Sequence, residues 1–182
     1  AEGQSMGSPL SFGGPTVGWF ATRKELARLV PGRIIGESRD SNNTKTYVMT
    51  LRAREQDIRR EKASSNICTN QTLNAVGSTI HLSWLGPEGL YEIGYQAIQK
   101  ASYMKQLLTD NNFNVLNHTS SLREFLVETK ISAEDVILKM GSKGFLAGIK
   151  YDDNQILVAV TEKRTKAQIV NYVESLVEVN NA

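Results

Sequence analysis

A long run of helical periodicity in the middle of the chain limits what the chain can fold into. After Gly86 and Pro87, apolar residues recur every three or four positions. The positions that share this stripe are Leu90, Ile93, Ala97, Ala101, Met104 and Leu108. Proline suits the first turn of a helix, so the pattern predicts one helix from Pro87 to about Asp110. A helix of this length is typical of a connector between two lobes.

Short elements are expected before this helix. Residues 1 to 16 are rich in glycine and proline, which allow close backbone approach. The predicted elements that follow are a buried strand at Val17 to Thr22, a short helix at Lys24 to Val30, a polar loop at Arg33 to Asp40, a hairpin tip at Asp40 to Lys45, a strand at Thr46 to Leu51, and a helix from Ile67 to Leu85. In the last of these, Leu73, Val76, Ile80 and Trp84 recur at helical spacing.

A small α+β lobe is expected after Asn111. Its predicted elements are strands at Phe113 to Leu116 and Glu124 to Glu128, a helix at Ser132 to Met140, strands at Phe145 to Lys150 and Ile156 to Val160, and a helix at Thr165 to Val179. Thr165 and Gln168 match a capping box at the start of the last helix.

Composition excludes several classes of protein. The net charge of +2 over 182 residues demands neither a nucleic-acid nor a membrane partner. No stretch approaches the ~20 apolar residues of a membrane span. The single cysteine, Cys68, allows no intrachain disulfide, which agrees with a reducing cytoplasm. The first residues carry no leader-like pattern and no initiator Met, so we expect the chain to continue a longer polypeptide and to self-associate when isolated.

Two long segments resemble one known family. LRAREQDIRREKASSNICTNQTLNA, Leu51 to Ala75, and GQSMGSPLSFGGPTVGWFATRKELARLVPGRIIGESRD, Gly3 to Asp40, resemble the glycine decarboxylase P protein of the glycine cleavage system. The resemblance implies the α/β architecture of the C-terminal part of a fold type I PLP-transferase. It implies the end of the large domain in residues 1–85, a connecting helix in 86–110 and a small α+β domain in 111–182.

The resemblance also implies an activity. No lysine precedes Lys24, so the chain is similar to subunit 1 (alpha), which lacks the PLP lysine. We expect part of a cytoplasmic glycine dehydrogenase (decarboxylating), a heterotetramer in which the lysine-bearing subunit 2 covalently holds pyridoxal 5'-phosphate. The aminomethyl group of glycine would pass to the lipoyl arm of the H protein. This chain would complete the active site and be inactive alone.

Ser64, Ser65 and Asn66 are the candidate cofactor-binding residues. They precede a predicted helix, where free N–H groups and the helix dipole favour an anion. In the family, this point in the chain helps to hold the PLP phosphate of the neighbouring subunit. Ser64 stands where the family usually has Thr and keeps the hydroxyl group. The residues alone favour simple helix capping, since Ser is a preferred cap in any helix, and the family resemblance reverses that preference.

The charged run from Arg54 to Lys62 has three readings. Its near balance of signs is typical of a solvated face. Paired charges at a subunit interface are a second reading. The third is contact of Arg59 or Arg60 with the substrate carboxylate or the cofactor.

The other candidate residues are interpreted as structural rather than functional. His81 and His118 have no Cys or His companion at ligand spacing, so no metal site is expected. Cys68 is interpreted as a packed thiol. Gly3 and the Gly13-Gly14-Pro15 turn are interpreted as backbone features. No catalytic residue is assigned to this chain.

Two other function classes remain open. One is a non-catalytic scaffold or interaction protein derived from the PLP-transferase fold. The other is an anion- or nucleic-acid-binding module that uses Arg52 to Lys62. The near-neutral balance of that run argues against the second class.

Overall fold

A computed structural model of the chain describes residues 1–9, 14, 16–50, 58–62, 71–116 and 121–181. The chain forms two compact units, Ala1–Trp84 and Leu85–Ala182. The predicted assignment of residues 1–85, 86–110 and 111–182 to a large domain, a connecting helix and a small domain stays a prediction. Within the described ranges, no helix has the length and apolar character needed to cross a bilayer.

The first unit contains a β-hairpin between two short 3-10 helices. The 3-10 helices are Lys24–Leu29 and Arg60–Lys62, and the antiparallel strands are β1 (Ile34–Arg39) and β2 (Lys45–Thr50). Asp40 closes the hairpin, because its Oδ1 accepts hydrogen bonds from the backbone N–H groups of Asn42 (2.8 Å) and Thr44 (2.9 Å). The predicted hairpin tip, second strand and short helix are therefore present.

Two sequence predictions in this unit are wrong. Val17 to Thr22 is not a buried strand: it makes one isolated antiparallel bridge, Glu2 with Gly18, and Phe20 is 74% exposed. Arg33 to Asp40 is not a loop, because most of it is strand β1. On the less exposed face of β1, Ile34 is followed by Gly36 and Ser38, so only one large apolar side chain marks that face and the usual alternation of apolar and polar residues is hidden.

Helix α1 (Thr72–Asp110) extends through the middle of the chain. It is interrupted at Gly86, whose φ of 66° and ψ of 179° are not helical, and Pro87 opens the segment that follows. The break between the two predicted helices is therefore confirmed. In the second segment Ala97, Ala101, Met104 and Leu108 are buried as the stripe predicts, whereas Leu90, near its start, is 45% exposed and Ile93 is half-buried.

The second unit contains a four-stranded antiparallel sheet. In chain order its strands are β3 (Asn114–Val115), β4 (Glu124–Glu128), β5 (Ile149–Asp152) and β6 (Gln155–Ala159), and their spatial order is β3-β4-β6-β5. The register pairs Phe125 with Val158 and Val127 with Ile156. These four side chains lie on one face of the sheet and are almost completely buried.

Two capped helices complete this unit. α2 (Ala133–Ser142) is capped by Ser132, whose side chain accepts from the N–H of Asp135 at 3.1 Å. α3 (Lys166–Asn181) begins with the predicted capping box: Gln168 N–H donates to Thr165 Oγ1 at 3.2 Å, and Thr165 N–H donates to Gln168 Oε1 at 3.0 Å. Both helices pack with α1 and the sheet in one core.

The predicted strand at Phe145 to Lys150 is correct only at its end. Strand β5 begins at Ile149, because the preceding residues complete the C-terminal cap of α2. Phe145 N–H donates to the Met140 carbonyl at 3.0 Å, and the Phe145 ring contacts the Tyr172 ring edge-on at 5.7 Å between centroids.

Hydrophobic burial differs sharply between the two units. Every buried apolar side chain among the described residues lies at Ala97 or later. In the described part of the first unit, only Gly3, Gly32 and Ser78 are buried. Since apolar burial is the main favourable term in folding, the described part of the first unit has no hydrophobic core of its own.

Candidate functional site

The glycine-rich N-terminal segment forms a loop that is closed at its base. The Ala1 nitrogen donates to the Trp19 carbonyl at 2.7 Å, and Trp19 N–H donates to the Ala1 carbonyl at 2.9 Å. One step further in, Gly3 N–H donates to the Val17 carbonyl at 2.6 Å. A Cβ atom on Gly3 would lie 2.9 Å from that carbonyl oxygen, so the close backbone pairing needs glycine here.

Gly7 brings this loop against the first segment of α1. Its φ is +97°, and a Cβ atom at this position would lie 2.6 Å from the Cβ of His81. Asn74, two turns earlier on the helix, donates from its amide to the Thr16 carbonyl at 3.0 Å. The loop is thus held on one side of the helix by a backbone contact at His81 and a hydrogen bond at Asn74.

Ser78 lies between these two contacts. Its side chain is 8% exposed, and its Oγ has no hydrogen-bond partner among the residues that the structure describes. The helix face that carries Asn74, Ser78 and His81 is therefore polar, and the N-terminal loop contacts this polar face.

The chemistry available in the loop is limited. Residues 1–22 contain one ionisable side chain, Glu2, whose carboxylate accepts from the N–H of Gln4 at 2.7 Å. The first lysine, Lys24, is exposed on a 3-10 helix. The loop can shape and support a neighbouring site, but it offers no amine for covalent attachment of a carbonyl cofactor.

Most of the sequence-predicted site residues lie outside the described residues. Ser64, Ser65, Asn66 and Cys68 fall in 63–70, and His118 falls in 117–120. Their assignments stay predictions. Arg54, Gly13 and Pro15 likewise lie outside the described residues.

The remaining candidates are placed by the structure. Arg59 and Arg60 are exposed, and Gly14 has open space around it. His81 is half-buried beside Gly7 and, within the described ranges, no group of His, Cys, Asp and Glu side chains is arranged to hold a metal ion. No sequence pattern could have indicated the Gly7–His81 contact, because it joins residues far apart in the chain.

The second unit contains a cavity that no pattern in the sequence predicts. Its volume is about 520 Å³, and its walls are the loop from Gly144 to Ile149, the end of β6 and the start of α3. Beside it, the Tyr172 hydroxyl donates to the Ala147 carbonyl at 2.5 Å. Burial raises the pKa of the Tyr172 phenol.

Comparison with known proteins gives one consistent result. The sequence model of the glycine cleavage system P-protein family matches residues 1–176. A protein of Staphylococcus haemolyticus named "Probable glycine dehydrogenase (decarboxylating) subunit 1" is 44% identical over 98% of this chain and 41% of its own length. A protein of Chlorobium luteolum with the same name is also 44% identical, with the same coverage.

A solved structure agrees with these relatives. The crystal structure of glycine decarboxylase (P-protein) of the glycine cleavage system, in inhibitor-bound form, has a TM-score of 0.81 with this chain and 34% identity. The match covers 97% of this chain and 42% of that one, so the chain spans about two fifths of its relatives. The predicted fold class, the C-terminal part of a fold type I PLP-transferase, is confirmed. The chain belongs to the glycine cleavage system P-protein family.

Proposed function

We propose that this chain serves as subunit 1, the non-lysine subunit, of glycine dehydrogenase (decarboxylating). The observation that carries the proposal is the 44% identity, over 98% of the chain, to proteins named as that subunit. Residues 1–23, which include the glycine-rich loop, contain no lysine, and this supports the same assignment because a supporting subunit needs no amine in that loop.

Pyridoxal 5'-phosphate is the cofactor of the P-protein family. We propose that subunit 2 holds it covalently. The loop of this chain does not suit covalent attachment, because Glu2 is its only ionisable side chain and Gly7 packs directly on His81. Two hydroxyl groups and one amide, at Ser64, Ser65 and Asn66, are suitable donors for a phosphate dianion.

The proposed reaction divides the work between the two subunits. When bound, the cofactor ring serves as the electron sink while the carboxylate of glycine leaves as CO2. Ser64, Ser65 and Asn66 of this chain would donate hydrogen bonds to the phosphate and so would position the cofactor.

The H protein is the second proposed partner. The aminomethyl group passes to one sulfur of its lipoyl arm as a carbon–sulfur bond forms. The sulfur–sulfur bond breaks in the same step, and the second sulfur takes a proton, so the disulfide is the oxidant. We propose that this chain and subunit 2 form a heterotetramer in the cytoplasm. Two measurements would test this: separation of cytoplasmic from membrane and secreted fractions, and determination of the native mass of the complex.

Cofactor retention tests the proposed site. The double variant Ser64→Ala, Ser65→Ala removes two donors, each worth about 1.5 to 3 kcal/mol when bonded to a charged group. Assembled with subunit 2, it should lose PLP on dialysis at least ten times faster than the wild-type complex. Ser102→Ala, at an exposed position of α1, is the matched control. Equal retention in the double variant and the control would contradict the assignment.

A further inference from the structure

The cavity of the second unit combines two exposed charges with an apolar interior. Its volume of about 520 Å³ lies within the range of small-molecule sites, roughly 300–1,000 Å³. Glu124, the first residue of β4, and Arg164, which precedes α3, both line it and are exposed to solvent. The interior walls are almost completely buried side chains without charge: Met104, Val158, Val160 and Ile169. A charged rim around an apolar interior is typical of a site for a small amphipathic ligand.

Neither charge at the rim is neutralised by a side chain that the structure describes. The Arg164 guanidinium and the Glu124 carboxylate form no ion pair with each other or with any other described residue. By contrast, Lys143 pairs with Glu178 at 2.6 Å on the surface of the same unit. A guanidinium and a carboxylate that line one cavity without pairing are both available to a ligand that carries one charge of each sign.

The start of α3 indicates which end of the ligand lies where. The first turn of a helix carries a partial positive charge, and Arg164 adds a full one beside it. Gln168, in that first turn, also lines the cavity. Its Oε1 accepts from the Thr165 N–H at 3.0 Å, and its amide N–H groups, which bond no described residue, stay available as donors. This side of the cavity therefore suits a carboxylate, and Glu124 suits an ammonium group.

The interior of the cavity suits only an apolar group. Tyr172 lines it, but the Tyr172 hydroxyl already donates to the Ala147 carbonyl, so its ring adds apolar surface and no free donor. A polar group placed there would lose its hydrogen bonds to water without replacement. At the mouth, Leu146 lies between Gly144 and Gly148 and is fully exposed. An apolar side chain of a ligand would bury part of Leu146 as well as the interior walls.

We propose that this cavity binds a free α-amino acid with a large apolar side chain. Arg164 and Gln168 hold its carboxylate, Glu124 holds its ammonium group, and its side chain lies against Met104 and Ile169. This ligand is not the proposed substrate, because glycine has no side chain and would leave the apolar interior empty. The walls of the cavity all belong to residues 104–172, within the second unit, so one compact unit of this chain builds the whole site.

Calorimetry with the full-length subunit that contains this chain tests the proposal. L-Leucine, L-methionine and L-phenylalanine are titrated separately, without subunit 2 or PLP, and at least one should bind at one site per chain. Glycine should bind at least about tenfold more weakly, because it lacks the apolar side chain. Arg164→Gln and Glu124→Gln should each weaken binding of the tightest of the three ligands at least about fivefold. Lys139→Gln, at an exposed position of α2, is the matched control and should bind like the wild type.

Ligands from which one charge has been removed test each contact separately. The carboxamide of the tightest ligand has no carboxylate, and its N-acetyl derivative has no ammonium group. The wild type should bind each at least about fivefold more weakly than the free amino acid. In Arg164→Gln the carboxamide and the free amino acid should bind with nearly equal affinity, and in Glu124→Gln the same should hold for the N-acetyl derivative. If the wild-type ratio persists in either variant, that residue does not hold the ligand and the proposal is overturned.

A nuclear Overhauser measurement on the wild type avoids any folding defect of the variants. Protons of the ligand side chain should show Overhauser contacts to the δ-methyl group of Ile169, whose resonance is identified by its loss in Ile169→Val. The absence of these contacts at saturation would overturn the proposal. So would failure of all three amino acids to bind the full-length subunit, because the cavity would then be closed by other parts of that subunit. Neither result affects the proposed function, which the exchange of CO2 tests separately.

Discussion

Three glycines in the second unit allow a graded test of the backbone argument. Gly141 lies in α2 with no atom within 4 Å of an added Cβ. Gly144 has φ +84°, also with open space. Gly148 has φ +146°, and its Cβ would lie 2.5 Å from the Leu157 carbonyl oxygen. Alanine at Gly141 therefore adds only a better helix former. At Gly144 alanine must adopt a strained φ, and at Gly148 it must adopt a strained φ and also clashes with the backbone.

The expected changes in free energy of unfolding follow from these environments. Gly141→Ala should stabilise by roughly 0.5 to 1 kcal/mol, because glycine loses more backbone entropy in a helix. Gly144→Ala should destabilise by about 1 to 2 kcal/mol, the cost of a left-handed residue that has a Cβ. Gly148→Ala should destabilise by roughly 2 to 6 kcal/mol, since a strained φ and overpacking each cost about 1 to 3.

Urea unfolding of the three variants, followed by far-ultraviolet circular dichroism, measures these differences. The order of stability should be Gly141→Ala, wild type, Gly144→Ala, Gly148→Ala. Because the oxygen that Gly148 approaches belongs to the paired backbone of β6, it cannot move aside as a flexible side chain would. If Gly148→Ala proves no less stable than Gly144→Ala, the close packing of this loop against β6 is refuted.

Two further predictions concern the same unit. Burial raises the pKa of Tyr172, so above its ordinary value of 10.0 the unfolded chain ionises first. Above pH 10, the free energy of unfolding should therefore fall more steeply with pH in the wild type than in Tyr172→Phe, by about 1.4 kcal/mol per pH unit. Urea unfolding at a series of pH values measures this, and equal slopes for the two proteins would contradict the prediction. Ser132→Ala removes the cap on Asp135 N–H and should cost about 1 kcal/mol, whereas Ser102→Ala should cost far less.

Sequence reasoning succeeded where the determining interactions are local. The cap at Ser132 and the capping box at Thr165 and Gln168 depend on residues within one turn, and both are present. The break at Gly86 and Pro87 is equally local. The buried stripe Ala97, Ala101 and Met104 followed from helical periodicity, because this helix packs on its own chain.

Sequence reasoning failed where the local structure depends on contacts between residues that are far apart in the chain. The sequence around Phe20 predicts a buried strand, but among the described residues the strand pairing of this segment is one isolated bridge, between Gly18 and Glu2. Gly7 fits against His81 only in the folded chain. Helical spacing identified the apolar face at Ile80 but not its exposure, because exposure depends on which distant residues pack against the helix. The assignment of Ser64 rests on family resemblance and stays a prediction.

Reconstitution of activity tests the central claim most directly. The lysine-bearing subunit 2 and lipoylated H protein are assayed for glycine-dependent exchange of CO2, with and without the full-length subunit that contains this chain. The account predicts no exchange by this chain alone, little by subunit 2 alone, and a large gain when both are combined. If addition of the chain brings no gain in exchange while it still binds subunit 2, it is a scaffold that has the family's fold without its chemistry, and the proposed function is contradicted.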